Sequence, residues 1–163
     1  MTPRAEALAM ARRLVMERSV ASLSTLLPEG QPYGSLVLTA NAPDGEPILY
    51  LATIAEHTHN LLRDPRASLL FELASHEAEP MAHPRVGLVG RLLPDETPDL
   101  RARFMARHPG TDPGLGGFRI FRFETERARL VGGFGDVRWA EGRELFGPSS
   151  GPAAAGGSGA GKP

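Results

Sequence analysis

The most constraining feature of this sequence is a set of short apolar runs joined by tight turns. The runs VASLSTLL (residues 20–27), YGSLVLTA (33–40) and PILYLAT (47–53) each have the length and composition of a β-strand. The first run is followed by Pro-Glu-Gly and the second by NAPDGE, and both are turn sequences. Because parallel strands need a crossover of about a dozen residues or more, these connections favour an antiparallel meander.

The rest of the chain continues this pattern with further strands and a few helices. Strands are predicted at RASLLFEL (66–73), RVGLVGRLL (85–93), FRIFRFE (118–124) and RARLVGGFGDVRW (127–139), and helices at about 3–19, after residue 55, and within 95–109. The apolar residues of FRIFRFE do not alternate, which indicates burial on both faces, with a subunit contact as one explanation. The sequence therefore predicts a mainly β fold with peripheral helices, arranged as a small antiparallel barrel.

The composition excludes several functional classes. The 163 residues carry a net charge of −1, which argues against a general nucleic-acid-binding protein. Cysteine is absent, so the chain has no disulfide framework, no thiolate nucleophile and no cysteine-type zinc site. The N-terminal segment is a poor signal peptide and no segment is long enough to span a membrane, so we expect a cytoplasmic protein that acts on a small molecule.

We expect one domain at residues 1–146, followed by a tail at 147–163. Apart from one lysine, the tail contains only Gly, Ala, Ser and Pro. Such a composition cannot bury enough apolar surface to offset its ordering entropy, so the tail is predicted to be disordered. Its GGSGAGK segment resembles a phosphate-binding loop, but the required Ser or Thr after the lysine is missing.

The histidines give no strong signal for a metal site. His57 and His59 are two residues apart, so on a helix their side chains point away from each other and cannot share an ion. Four further candidates lie in a polar loop, where such spacings are common without a metal: His76, Glu77, Glu79 and His83. We therefore predict no metal site.

The clearest candidate for an anion site is the start of the short helix after PILYLAT. The stretch AEHTHN (55–60) lies where a strand gives way to this helix, and the first N–H groups of a helix lack internal partners. His57, Thr58 and Asn60 offer additional side-chain donors. The alternative is a plain connector in which Thr58 or Glu56 satisfies the helix end.

A hydrolase triad and the single tryptophan are two further possible sites. No Gly-x-Ser-x-Gly elbow is present, and the serines of VASLST are explained by strand alternation, so a hydrolase triad is not supported. Trp139 is the only tryptophan. It either packs at the edge of the barrel or forms a planar wall for a ligand.

Four stretches of the chain together resemble a known family. They are VASLSTLLPEGQPYGSLV (20–37), LYLATIAEHTHNLLRDPRASLL (49–70), PRVGLVGRL (84–92) and RARLVGGFG (127–135). In this order and spacing they resemble the pyridoxamine 5′-phosphate oxidase-like, FMN-binding split-barrel proteins, with the pattern of the haem-utilisation, HugZ-type branch. The resemblance implies an antiparallel six-stranded split β-barrel that forms a homodimer, with two FMN sites at the subunit interface.

The resemblance also implies which residues contact FMN. The strand PYGSLVL would lie beside the flavin ring and contact it mainly through its backbone. The candidate ring contacts are Ser35, Leu36 and Val37 on this strand, Tyr50 and Leu51 on the next, Arg85 from the partner subunit, and Trp139 near the C-terminal end. In the oxidases an arginine and a lysine hold the FMN phosphate, and here those positions fall on Glu56 and His57. The phosphate contacts are therefore assigned to His57, Thr58 and Asn60.

The function implied by the resemblance is that of an FMN-binding, flavin-dependent oxidoreductase. The cofactor would carry the electrons while the protein orients its ring, so no catalytic acid or base is assigned. Two alternatives stay open. One is a haem-binding or haem-degrading protein that uses His57, His76 or His83, and the other is a non-catalytic binder of a flavin or deazaflavin.

Overall fold

The computed structural model describes residues 2–73, 78–111, 117–133 and 135–148. The predicted disordered tail lies outside these ranges, apart from its first two residues. The elements in chain order are α1 (Arg4–Glu17), β1 (Val20–Leu26), β2 (Pro32–Leu38), β3 (Ala40–Asn41), β4 (Pro47–Ala52), α2 (Glu56–Arg63), β5 (Arg66–Glu72), a 3₁₀ turn (Pro80–Ala82), β6 (Arg85–Pro94), α3 (Pro98–Arg107), β7 (Phe118–Val131), β8 (Val137–Glu141) and α4 (Gly142–Phe146). No helix within the described ranges is long and apolar enough to cross a membrane.

The strands form one antiparallel sheet with helices around it, which confirms the predicted mainly β architecture. The strand order is β2-β1-β5-β6-β7-β4-β3, and β8 pairs with β7. The sheet curls so that β2 approaches β4. In the described residues it has eight strands rather than six. The reason is that β7, which is 14 residues long, pairs with β4 near its start and with β8 near its end.

The long strand β7 corrects one prediction about the chain. The sequence indicated two separate strands, FRIFRFE and RARLVGGFGDVRW, but residues 118–131 form one strand. The register of β7 against β6 shifts between Val89 and Gly90, which is a β-bulge. A bulge adds one residue to a strand and breaks the alternation of buried and exposed side chains without ending the strand.

One face of the curled sheet is closed by α1, α2 and α4 into an apolar core. The amphipathic pattern of α1 places Ala11 and Val15 in this core. Phe71, Phe121 and Phe123 are its largest fully buried side chains. Truncation of such a residue to alanine typically costs about 3–5 kcal/mol of folding free energy, so these aromatic residues are central to stability.

Helix α3 covers the other face of the sheet at β4 and the start of β7. It packs Leu100 and Phe104 against Ile48, Tyr50 and Ile120 in a second apolar cluster. The first half of β7 is therefore buried on both faces, as its sequence pattern indicated. The element that covers this second face is helix α3 of the same chain.

The remaining part of the sheet is open on the side away from the core. It consists of β2, β1, β5, β6, β8 and the second half of β7. We call this surface, formed by the side chains that point away from the core, the outer face. Its large exposed apolar side chains are Leu36, Leu38, Leu70, Val137 and Trp139.

Candidate functional site

One row of residues crosses the whole outer face. Residues directly opposite each other in an antiparallel sheet point to the same face, so the strand register defines the row. Its members in spatial order are Leu36, Ser22, Leu70, Gly87, Arg129 and Trp139. Neighbouring strands lie about 4.8 Å apart, so these six strands place the row over about 24 Å. We call it the outer row: its first half is apolar or small, and its far end is cationic and aromatic.

Small side chains leave a groove beside the apolar end of the outer row. Ser24 of β1 lies opposite Gly34 of β2 on one side and opposite Ser68 of β5 on the other. Towards Pro32 and Arg66 the groove becomes a cleft of about 250 Å³. With so few large side chains here, a flat ring can approach the backbone of these strands closely.

Two glycines of β6 differ in the space that surrounds them. A Cβ added at Gly90 would lie 2.0 Å from Glu124 O, so the close approach of β7 at the bulge requires a glycine there. A Cβ added at Gly87 would meet no atom within 4 Å. Packing within the chain therefore does not explain Gly87, and a glycine inside a strand often marks a site where a ligand comes close.

Trp139 lies against two arginines at the far end of the outer row. The guanidinium carbons of Arg127 and Arg129 are 4.8 and 5.2 Å from the centre of the indole ring, which are cation–π distances. The Trp139 side chain is 45% exposed. This exposure supports the interpretation of Trp139 as a planar wall for a ligand. The neighbouring Arg138 instead donates a hydrogen bond to Asp136.

The predicted phosphate donors Thr58 and Asn60 are engaged inside the fold. Both are fully buried. Thr58 Oγ1 donates to the carbonyl of Ala52 at 2.6 Å. Asn60 Nδ2 donates to Thr25 Oγ1 at 3.1 Å, and Asn60 Oδ1 accepts a hydrogen bond from Arg63. These contacts hold α2 against β1 and β4. They do not cap the helix as the connector interpretation expected, because no side chain of Thr58 or Glu56 accepts a hydrogen bond from the first N–H groups of α2.

His57 lies at the start of α2 and is half-buried. Burial lowers the pKa of its imidazole from the ordinary value of 6.5, so the neutral form predominates at neutral pH. The adjacent Glu56 is exposed. This helix end therefore presents a carboxylate and a neutral imidazole where the oxidases have two cations. These two side chains supply no positive charge for a phosphate, which leaves the uncapped backbone N–H groups at the start of α2 as the donors.

Three of the predicted ring contacts are buried in the two apolar clusters. Val37 and Leu51 lie in the main core, inside the curled sheet. Tyr50 lies under α3, and its hydroxyl accepts a hydrogen bond from Arg101 at 2.9 Å. Adjacent strand residues point to opposite faces, so Tyr50 and Leu51 do not offer their side chains to one ligand.

Ser35 and Leu36 lie on β2, at the edge of the sheet. Leu36 points to the outer face and is 76% exposed. Ser35 points to the other side, and its Oγ is buried without a hydrogen-bond partner in the described structure. In the described sheet β2 pairs with β1 alone, so one side of its backbone is open to the kind of contact that the resemblance implies.

Arg85 begins β6 and fixes the loop before it. Its Nη1 donates to the carbonyls of Met81 and His83 at 3.3 and 3.4 Å. Arg85 thereby holds the backbone of His83, two residues before it in the chain. His76 lies outside the described residues. Among the residues that are described, no group of three or more His, Cys, Asp or Glu side chains is placed to hold a metal ion.

A buried ionic cluster, which the sequence did not predict, holds the turn between β3 and β4. Arg122 of β7 forms ion pairs with Asp44 and Glu46 of this turn. Burial raises the pKa of Glu46 above its ordinary value of 4.5, although Oε1 accepts a hydrogen bond from the N–H of Thr125 at 2.9 Å. The only sign of this cluster in the sequence is the acidic pair in NAPDGE, and that pattern is typical of an ordinary solvent-exposed turn.

The sequence also gave no reason to select Gly87, Arg127 or Arg129. The Arg-x-Arg pattern of RARLV places two cations on one face of a strand, but that pattern is common on exposed strands. Only the pairing of β7 with β6 and β8 brings these residues beside Trp139.

Comparison with known families agrees with this architecture. The profile of the family described as CREG, beta-barrel matches residues 2–146. The chain belongs to the CREG β-barrel family. These proteins share the FMN-binding split-barrel fold of the pyridoxamine 5′-phosphate oxidase-like proteins, so the resemblance seen in the sequence is confirmed.

Two relatives of this CREG-family chain are named for haem. One is the chloroplastic non-canonical heme oxygenase HOZ of Arabidopsis thaliana, which is 34% identical over 109 residues, or 64% of this chain and 33% of that protein. The other is a heme binding protein from Mycobacterium smegmatis, whose solved structure has a TM-score of 0.74 and 31% identity. That match covers 90% of this chain and 61% of the mycobacterial one. The chain thus spans about a third of HOZ and under two thirds of the mycobacterial protein.

A third relative has a solved structure but no known function. The protein Atu2129 of Agrobacterium tumefaciens is 30% identical to this chain, with a TM-score of 0.74. The match covers 89% of this chain and 62% of that one. It supports the fold and the family, and it adds nothing about the ligand.

Proposed function

We propose that this protein binds haem on the outer face of its sheet. The observation that carries the proposal is the outer row, which joins an apolar surface to a cationic end. A porphyrin is a flat apolar ring with two carboxylates on one edge, so it is complementary to both features at once. Leu36 and Leu70 form the apolar part, and the arginines around Trp139 form the cationic part.

The relatives named for haem support this choice of ligand. HOZ and the mycobacterial heme binding protein are 34% and 31% identical to this chain. Both are longer than the part that matches, so what they do as whole proteins is not transferred. Their names make haem the first ligand to test on the shared barrel.

The loop before β6 offers His83 as a candidate for contact with the iron, because Arg85 binds its backbone carbonyl where the outer face begins. Imidazole binds a metal in its neutral form, and burial keeps His57 in that form at neutral pH. His57 lies on α2, which packs on the core side of the sheet, and none of the described contacts places it on the outer face of its own chain. When haem is bound, its iron supplies the redox chemistry, while the protein supplies the ring platform and the cations. Replacing each histidine separately by alanine and recording the visible spectrum identifies the ligand.

FMN is the second candidate ligand because the family shares the FMN-binding split-barrel fold. Its flavin ring is also flat and suits the groove beside Ser24, with backbone contacts from Ser35 and Leu36 of β2. Its phosphate lacks a cation at the start of α2, where His57 is neutral and Glu56 is acidic. A flavin-dependent oxidoreductase therefore ranks behind a haem-binding protein.

We further propose that two copies meet over the outer face and enclose the ligand between them. Leu38 and Val137 extend the exposed apolar surface at the two ends of the neighbouring row, beside Leu36 and Trp139. A homodimer, as the split-barrel resemblance implies, would cover this surface. Light scattering would then give twice the chain mass of 17.4 kDa. The double variant Leu38→Lys/Val137→Lys would give the mass of a monomer, and a monomeric parent protein would contradict the proposal.

Titration with haemin, followed at the Soret band, tests the proposed function. The parent protein should give a saturable spectral shift. Leu70→Asn, in the outer row, should weaken haemin binding about tenfold because it places a polar group under the ring. Met16→Asn is the matched control, since Met16 is an exposed apolar residue of α1 outside the outer face, and its affinity should equal that of the parent. Equal affinities for Leu70→Asn and Met16→Asn would remove the outer face as the site.

Haem breakdown is examined in the same sample. Ascorbate is added in air to the haem-saturated protein in the presence of catalase, which removes free peroxide. Loss of the Soret band under these conditions would assign oxidative degradation to the protein. A stable Soret band would leave it a haem-binding protein without that activity.

A further inference from the structure

We infer that Arg127, Arg129 and Trp139 form a clamp for the two carboxylates of haem. The inference rests on the proposed function and deepens it by naming the part of the ligand that this end of the outer face recognises. The two guanidinium groups lie 4.8 and 5.2 Å from the centre of the same indole ring. They are held next to the apolar part of the outer row, which would hold the ring of the ligand.

The spacing of the two arginines suits two neighbouring carboxylates. They are two residues apart on β7, so their side chains leave the same face of the strand with their Cα atoms about 7 Å apart. Both side chains are exposed. Because a planar guanidinium that rests on an aromatic ring is already oriented, it loses less freedom when it pairs with a carboxylate.

Two acidic groups near this end of the face have other partners. Glu141 lies opposite Arg127, but its side chain accepts a hydrogen bond from the backbone at the start of α4. Glu144 forms an ion pair with Arg4 at 2.8 Å. In the part of the chain that the structure describes, neither Arg127 nor Arg129 has a carboxylate partner. Two cations without a counter-charge are therefore available to a ligand.

Gly87 provides the space that the ligand needs beside the clamp. It lies opposite Arg129 in the outer row, and no atom lies within 4 Å of the position its Cβ would take. The edge of a porphyrin that passed over Gly87 would bring its carboxylates to the guanidinium groups. Each arginine could then form a two-point, charge-assisted hydrogen bond with one carboxylate.

The test compares haemin with its dimethyl ester, in which both carboxylates are neutral. The parent protein should bind haemin at least about tenfold more tightly than the ester, and only haemin binding should weaken as salt is added. Arg127→Gln/Arg129→Gln should abolish this preference and leave affinity for the ester unchanged. The control Arg13→Gln/Arg143→Gln removes two exposed arginines elsewhere, with the same change in net charge, and should keep the preference.

The outcomes separate the clamp from the proposed function. If the parent protein binds haemin and the ester equally, haem binding stands and the clamp is wrong. If both double variants lose the same affinity for haemin, the effect is that of net charge and the clamp is again wrong. If the parent protein binds neither compound, the proposed function fails and the clamp fails with it. The comparison of the two ligands on the parent protein does not depend on the folding of any variant.

Discussion

Gly87 and Arg129 lie directly opposite each other on β6 and β7, and they mark the point where the outer row changes from apolar to cationic. Gly87 has open space above it, while Arg129 lies on the exposed ring of Trp139. The two positions suit the edge of one ligand, with its ring over the glycine and its charge at the arginine.

Gly87→Val should stabilise the protein and weaken haemin binding. The new side chain meets no atom of the chain, and replacing glycine within a strand typically adds about 0.5–1 kcal/mol to the free energy of unfolding. The same side chain occupies the space proposed for the ring, so haemin affinity should fall about tenfold or more. Urea denaturation and Soret titration measure the two effects. Unchanged haemin affinity in a stabilised variant would exclude Gly87 from the site.

Gly90→Ala, three residues along β6, is the matched comparison and should be destabilised. Its Cβ would lie 2.0 Å from the carbonyl oxygen of Glu124, so the backbone must move at the bulge. Overpacking of this kind costs about 1–3 kcal/mol. If urea denaturation gave this variant the stability of the parent, the bulge geometry described for β6 and β7 would be wrong.

Glu46→Gln should change how stability depends on pH. Burial raises the pKa of Glu46 in the folded protein above 4.5, so the folded state holds this proton more tightly than the unfolded state. The contribution of Glu46 to stability is therefore largest below its unfolded pKa and is lost as pH rises through the folded pKa. The free energy of unfolding of the parent, minus that of Glu46→Gln, should fall between pH 4.5 and 7.5. A difference that stays constant with pH would show that the Glu46 pKa is not raised.

His57→Gln should show the opposite dependence on pH. Burial lowers the pKa of His57 below 6.5 in the folded protein, so the unfolded state takes up the proton first. Acid therefore removes stability from the parent as pH falls through the unfolded pKa, and glutamine cannot be protonated. The stability difference between parent and variant should fall from pH 8 to pH 5.5. An NMR titration that gave His57 a pKa above 6.5 would contradict this and would restore a cation for a phosphate.

Thr58→Val should reduce stability without affecting phosphate recognition. The hydroxyl of Thr58 is fully buried and donates to Ala52 O at 2.6 Å, so its loss should cost about 1 kcal/mol of folding free energy. The ratio of FMN affinity to riboflavin affinity should be the same in parent and variant, because the hydroxyl is directed into the chain. Fluorescence titration with both flavins provides the check. A loss of FMN binding alone would return Thr58 to the phosphate.

Local sequence patterns predicted much of the fold. The hairpin of β1 and β2 follows from alternating residues around a Pro-Glu-Gly turn, where Gly30 has a φ of 91°. The buried face of α1, with Ala11 and Val15, follows from helical spacing. The division of β7 was predicted wrongly because a bulge interrupts alternation in the same way as a turn does.

The candidate site was harder to predict from the sequence because it depends on strand register. Tyr50 and Leu51 are adjacent on a strand, so alternation already forbids both side chains from facing one ligand. Arg129 meets Trp139 only because β8 pairs with β7 in this register, and a shift of one residue would move either side chain to the other face. Thr58 and Asn60 read as free donors in the sequence, and their partners are set by tertiary packing.

Competition between haemin and FMN for the parent protein is the most direct test of the proposed function. Equilibrium dialysis against equal concentrations of the two compounds, with each quantified after denaturation of the protein, measures which one the chain retains. We expect retention of haemin with a shifted Soret band and little FMN. Retention of FMN without haemin would contradict haem binding and would return the function to that of a flavoprotein.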